Sequence, residues 1–117
     1  MQAKQVSTNI VVADIDQAKA FYQYFLGLQT EEFNLGWVAR FTDVESGAHV
    51  QLVTKDLTAP EDSALSVHAD DVDAAYAEAQ RRGYEIVHPL TTEEWGVRRF
   101  FVRAPDGTLL NIVAHRG

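Results

Sequence analysis

A chain of 117 residues has the length of one domain and buries roughly two-thirds of the surface its unfolded form exposes. Seventeen acidic against ten basic side chains leave a net charge of −7, which argues against a nucleic-acid backbone or an anionic membrane surface as partner, because both need a basic patch. Cysteine is absent, which excludes disulfides, thiolate metal sites and a cysteine nucleophile, and no window approaches the run of about 18 apolar residues that spans a membrane.

In chain order, "VSTNIVV", Val6 to Val12, alternates and is rich in β-branched residues, so it predicts a strand carrying Ile10 and Val12 on one face and Ser7 and Asn9 on the other. "DIDQAKAFYQYFLGL" predicts a helix of three turns: Asp14 or Asp16 is its cap, Ala18, Phe21, Tyr22 and Phe25 form its apolar stripe, and Gly27 is its stop. A short strand fits around Thr30 to Phe33. "WVARFTD" and "AHVQLVT" read as strands joined at Ser46-Gly47, the second with His49, Gln51 and Val53 on one face. "KDLTAPEDS" is polar and reads as a linker.

Beyond the linker the pattern repeats. "ALSVHA" reads as a strand, Asp71 or Asp73 caps a helix with Val72, Ala75, Tyr76 and Ala79 on one stripe, and Gly83 stops it; "YEIVHPL", "VRRFFVR" and "LLNIVAH" follow as strands or strand ends, with His88 placed in a loop before Pro89. Asp14 answers Asp71 at a shift of 57, Gly27 answers Gly83 at 56, and Gly47 answers Gly107 at 60. The expectation is one domain of two units, at about 5–55 and 64–117, with a linker at about 56–63.

A unit of strand, helix and three strands covers only one face of its sheet with its helix. Two such units are therefore expected to form an α+β fold in which a cupped mixed sheet surrounds a central cavity. Ser7, Asn9, Gln51, Ser66 and Asn111 would line that cavity, whereas Ile10, Val12, Leu52, Leu65, Val67, Leu110 and Ile112 lie under the helices. Phe21, Tyr22, Phe25 and Tyr76 read as core. In "VRRFFVR" alternation puts Arg98 and Arg99 on opposite faces, so one of them points to the cavity side.

The paired units, the "DIDQAKAFYQYFLGL" and "DDVDAAYAEAQRRG" helices and the "WGVRRFFVRAPDGTLLNIV" ending together resemble the vicinal oxygen chelate superfamily, which holds glyoxalase I, extradiol dioxygenases, fosfomycin-resistance enzymes and bleomycin-resistance proteins. Enzymes of that family hold a divalent metal with four side chains, one from the first and one from the last strand of each unit, usually His and Glu. The resemblance places those positions at Ser7, Gln51, Ala64 and Asn111. Such a set offers no carboxylate or imidazole, so no metal and no cofactor is expected, and the chain is similar to the metal-free bleomycin-resistance-like branch. His49, His68 and His115 share the inward parity, but their offsets from the family positions reach about 7 to 13 Å along the strands, too far to converge on one ion.

The reading that results is a metal-free protein binding an aromatic or amphipathic small molecule, such as an antibiotic held by sequestration. Ser7, Asn9, Trp37, His49, Gln51, Trp95, Arg99 and Asn111 are its candidate binding residues. No catalytic residue is assigned; the alternative is a lyase, isomerase or dioxygenase of the glyoxalase type with unusual metal ligands or none, in which Arg and His polarise a carbonyl. The resemblance also implies a homodimer. With no cysteine and no leader-like apolar core in "MQAKQVSTNIVVADID", the expected location is cytoplasmic.

Overall fold

A computed structural model describes residues 1–115. Its chain contacts separate into two compact units, Ser7–Leu57, here the N-terminal unit, and Thr58–Gly117 joined by Met1–Val6, here the C-terminal unit. The first strand, β1 (Ala3–Val11), therefore begins in one unit and ends in the other. Its leading residues are tied into the C-terminal unit by the Met1 ammonium on Glu78, at 2.6 Å, and by Lys4 on Asp70, at 3.2 Å.

In the N-terminal unit β1 is followed by α1 (Ile15–Ala20), β2 (Thr30–Asn34), β3 (Val38–Thr42) and β4 (His49–Val53), in the sheet order β2-β3-β4-β1. β1 runs parallel to β4, with Asn9 opposite Gln51, and the other pairs are antiparallel. The C-terminal unit repeats the sequence of elements with β5 (Leu65–Ala69), α2 (Val72–Arg81), β6 (Glu85–Thr92), β7 (Val97–Arg103) and β8 (Leu109–His115), in the order β5-β8-β7-β6. Here too the first and last strands are parallel and the rest antiparallel. The fold is α+β, built of two βαβββ units with mixed strand pairing, as the sequence pattern leads one to expect.

The caps are the first aspartate of each pair: Asp14 accepts from the Gln17 N–H and Asp71 from the Ala74 N–H, both at 3.0 Å. Gly27 and Gly83 take φ near +77° and +76° beyond the two helices, a backbone that side chains with a Cβ avoid. The apolar parity packs under the helices. Leu52, Ala39 and Phe41 form one core with Ile15 and Leu28, joined by Ile10, Val12 and Tyr22, and Val67, Phe100 and Ile112 form the other with Val72, Ala75 and Ala79, joined by Leu110 and Tyr76. Leu65 is half-buried outside these clusters.

Two expectations are corrected. The first helix is α-helical only to Ala20, and Phe21–Phe25 forms a π-helical turn closed by the Leu26 N–H on the Phe21 carbonyl at 3.2 Å. The extra residue in that turn rotates the stripe, so Tyr22 meets the core while Phe21 and Phe25 turn to solvent, 56% and 76% exposed. His88 and Pro89 lie in β6 rather than in a loop. β6 is an edge strand of the C-terminal unit's own order, where proline's missing N–H breaks no inner ladder, and it shifts register on both sides of His88.

Candidate functional site

Each unit carries a polar row on the sheet face opposite its helix, because cross-strand partners share a face. In the N-terminal unit Asn9, Gln51 and Arg40 are successive partners across β1, β4 and β3, and Thr42 lies opposite His49. Arg40 is 6% exposed and sends Nε and Nη2 to the single oxygen Gln51 Oε1, at 3.0 and 2.6 Å, while Gln51 Nε2 donates to Asn9 Oδ1 at 2.8 Å. Arg40 Nη1 reaches Glu32 at 3.2 Å, and its guanidinium lies 5.3 Å from the Phe33 ring centre.

Glu32 also accepts from the Thr42 hydroxyl at 2.8 Å. Partial burial alone would raise the Glu32 pKa, but the Thr42 bond, the Arg40 charge and bond, and the His49 charge together hold it below the ordinary glutamate range. Ser7 is buried and pairs with His49 Nε2 at 2.8 Å; His49 Nδ1 lies 2.9 Å from the Gly47 carbonyl, which only accepts, so when the ring is neutral its proton sits on Nδ1 and the Ser7 hydroxyl donates to Nε2. Trp37 is half-buried before β3, where its carbonyl accepts the Thr54 N–H at 2.9 Å. A separate polar hollow of about 340 Å³ is lined by Gly27, Gln29, Thr30, Thr42, Asp43, Val44 and Glu45, and no sequence-derived binding residue is among them.

In the C-terminal unit the corresponding face carries Ser66, Asn111, Phe101 and His88 as successive cross-strand partners, with Arg99 opposite both Thr91 and Val113. Of the two arginines, Arg99 is therefore the one on this face, 3% exposed, and Arg98 turns to the helix side to pair with Asp73 at 2.8 Å. Arg99 Nε donates to Glu93 at 2.6 Å and Nη2 to the Thr58 hydroxyl at 2.8 Å, and its guanidinium lies 5.1 Å from the Trp95 ring and 4.8 Å from the Phe101 ring. His88 Nε2 lies 3.2 Å from the same Glu93 oxygen. Asn111 Nδ2 donates to Ser66 at 3.2 Å, and its buried Oδ1 has no hydrogen-bond partner among the described residues.

The structure thus joins Ser7 to His49, Asn9 to Gln51, and Arg99 to Trp95 within their units. Sequence reasoning missed Arg40, Glu32, Glu93 and His88. One signal for the first was present: Arg40 answers Arg99 at a shift of 59, inside the 56–60 that relates the two units. His68 and His115 lie with their ring centres 4.7 Å apart and the rings tilted by 38°, whereas His49 is engaged with Ser7. Among the described residues no group of three or more His, Cys, Asp or Glu is arranged to hold a metal ion.

The donors at the family's metal positions do not fit a divalent ion. The Gln51 oxygen already bears the Arg40 cation through two bonds, Ser7 is bonded to His49, Ala64 is exposed and has no side-chain donor, and Asn111 supplies a neutral amide.

No curated protein matches the chain significantly. Solved structures similar in fold include a protein described as an NAD-dependent benzaldehyde dehydrogenase from Legionella pneumophila, 19% identical over 96% of this chain and 100% of that one, with a TM-score of 0.78. A glyoxalase/bleomycin resistance protein/dioxygenase superfamily member from Vibrio splendidus 12B01 is 20% identical over 93% of this chain and 97% of its own, with a TM-score of 0.68. An uncharacterised protein from Methanosarcina mazei is 20% identical over 98% and 94%, with a TM-score of 0.71. These likenesses concern the fold. The family model matches residues 4–112, and the chain belongs to the Glyoxalase/Bleomycin resistance protein/Dioxygenase superfamily.

Proposed function

We propose that the protein is a metal-free small-molecule-binding member of this superfamily, a single cytoplasmic domain working as a homodimer, that sequesters a flat amphipathic compound such as an antibiotic. The observation that carries the reading is Asn111 Oδ1, a buried acceptor without a donor among the described residues, on the polar face of the C-terminal unit opposite Phe101 in register. A buried oxygen left unpaired costs about 1–3 kcal/mol, and a ligand N–H or O–H relieves that cost. The half-buried ring of Trp95, over which Arg99 lies, supplies apolar surface, the usual complement to a few orienting polar groups. For the dimer, the support is the exposed Phe21, Tyr24, Phe25 and Leu26 on the N-terminal unit, 48% to 77% exposed. They present roughly 500 Å² of apolar surface, more than half of the roughly 800 Å² each partner contributes to a stable interface.

A thermal-shift screen of flat amphipathic compounds tests the binding. Hits that stabilise the wild-type chain should lose most of their shift in Asn111→Leu, which removes the acceptor, and in Trp95→Ala. Equal shifts in wild type and both variants would place the ligand elsewhere.

A further inference from the structure

We infer that His88, oriented by Glu93, is a general base that removes a proton from a carbon acid carried on a flat aromatic ring. The inference needs only residues of β6, β7, their hairpin and Thr58, and it does not rest on sequestration or on Asn111.

The geometry comes from four observations. Glu93 is 9% exposed and its Oε2 is shared by Arg99 Nε at 2.6 Å and His88 Nε2 at 3.2 Å. A carboxylate only accepts, so Nε2 carries the ring proton and the lone pair of the neutral imidazole sits on Nδ1. Nδ1 makes no hydrogen bond among the described residues, and the side chain is 12% exposed, so the basic nitrogen is the end left for a ligand. Finally, register shifts on both sides of His88 turn its ring against Phe101, 5.4 Å away and tilted by 63°.

A buried carboxylate held by an arginine, bonded to one nitrogen of an imidazole whose other nitrogen is open, is an arrangement for proton transfer. Glu93 is a positioning residue: it fixes the tautomer and faces the imidazolium that forms. Arg99 neutralises Glu93 in the resting state and lies over the half-buried Trp95 ring and the buried Phe101 ring, so the base stands in an aromatic setting rather than beside an anion site. That favours an uncharged, flat carbon acid over a carboxylate or phosphate substrate.

5-Nitrobenzisoxazole is a probe of this class that needs no cofactor. Its C3–H proton passes to His88 Nδ1, the C–H electron pair becomes the third bond of a nitrile, and the ring N–O bond breaks to release a coloured phenolate; His88 then returns the proton to water. General-base catalysis by a placed side chain contributes about 100- to 10,000-fold. The wild-type chain should therefore turn the probe over with saturation, and His88→Gln should lower kcat/KM at least about 100-fold. Glu93→Gln should lower kcat roughly tenfold with KM within about twofold, the split expected when a group acts only on the reacting base. His88→Ala should regain saturable turnover, above the solution reaction, when imidazole is added; a merely structural histidine would not. No turnover by the wild type, or His88→Gln within about twofold of it, overturns the inference. If His88→Gln loses its fold by circular dichroism, Glu93→Gln decides: unchanged kcat overturns the inference too. Sequestration is tested separately by the Asn111→Leu thermal shift, so either reading can fail alone.

Discussion

Replacing Gln51 by leucine strips the acceptor from a guanidinium that is 6% exposed and bonded to that one oxygen through Nε and Nη2. A hydrogen bond to a charged group contributes about 1.5–3 kcal/mol, and because the two bonds share an acceptor the loss is about 3 kcal/mol rather than double. Arg40→Met removes the charge together with its demand for partners, takes the arginine from the Gln51 oxygen and from the half-exposed Glu32 carboxylate, and costs about 1–2 kcal/mol. In the double variant neither orphan remains, so its cost is about 2 kcal/mol instead of the 4–5 kcal/mol sum of the two singles. Urea unfolding of the four proteins measures the cycle, and the expected coupling is about 2–3 kcal/mol. Single costs that add to within about 0.5 kcal/mol would refute the claim that Arg40 is the cation belonging to the Gln51 position.

Glu32 supplies a pH-dependent contribution. Its folded pKa lies below its unfolded one, so the stabilisation is complete above the ordinary glutamate range and is lost as pH falls through the folded value. Its side chain is 37% exposed, which limits the effect to about 0.5–1 kcal/mol: Glu32→Gln should be that much less stable at pH 7, and the gap should close in strong acid. A gap of unchanged size at low pH contradicts the assignment. Phe25→Ser, at a position 76% exposed, should change monomer stability by less than about 0.5 kcal/mol, whereas Phe41→Ala, at 0%, should cost about 3–5 kcal/mol in the same urea series. Comparable losses would mean that the π-helical turn packs inward after all.

The repeat, both helix caps and the division of each sheet into an apolar and a polar face were legible in the sequence, because capping and strand alternation are local and one residue's slip would invert a whole face. Alternation put Arg98 and Arg99 on opposite faces but left open which one turns inward, and the strand pairing of Arg99 with Thr91 and Val113 decides it. What stayed hidden depends on partners far apart in the chain. Ser7 and His49, 42 residues apart, meet only because β1 lies beside β4, and Arg40 finds Gln51 only through the β3–β4 register. His88 was misplaced because His-Pro reads as a loop, whereas an edge strand with register shifts tolerates it. The outward turn of Phe21 and Phe25 was equally illegible, since a helical stripe of aromatics carries no mark of where an α-helix becomes a π-helical turn.

The proposed metal-free reading takes the Gln51 oxygen to be occupied by Arg40, which donates to it through two bonds, rather than open to a divalent ion. Elemental analysis of protein purified without chelators, incubated with zinc, manganese and nickel salts and then desalted, tests it most directly. The expected result is far less than one divalent ion per chain and an unfolding midpoint unmoved by any of the three metals. One tightly held ion per chain, with a raised midpoint, would contradict it.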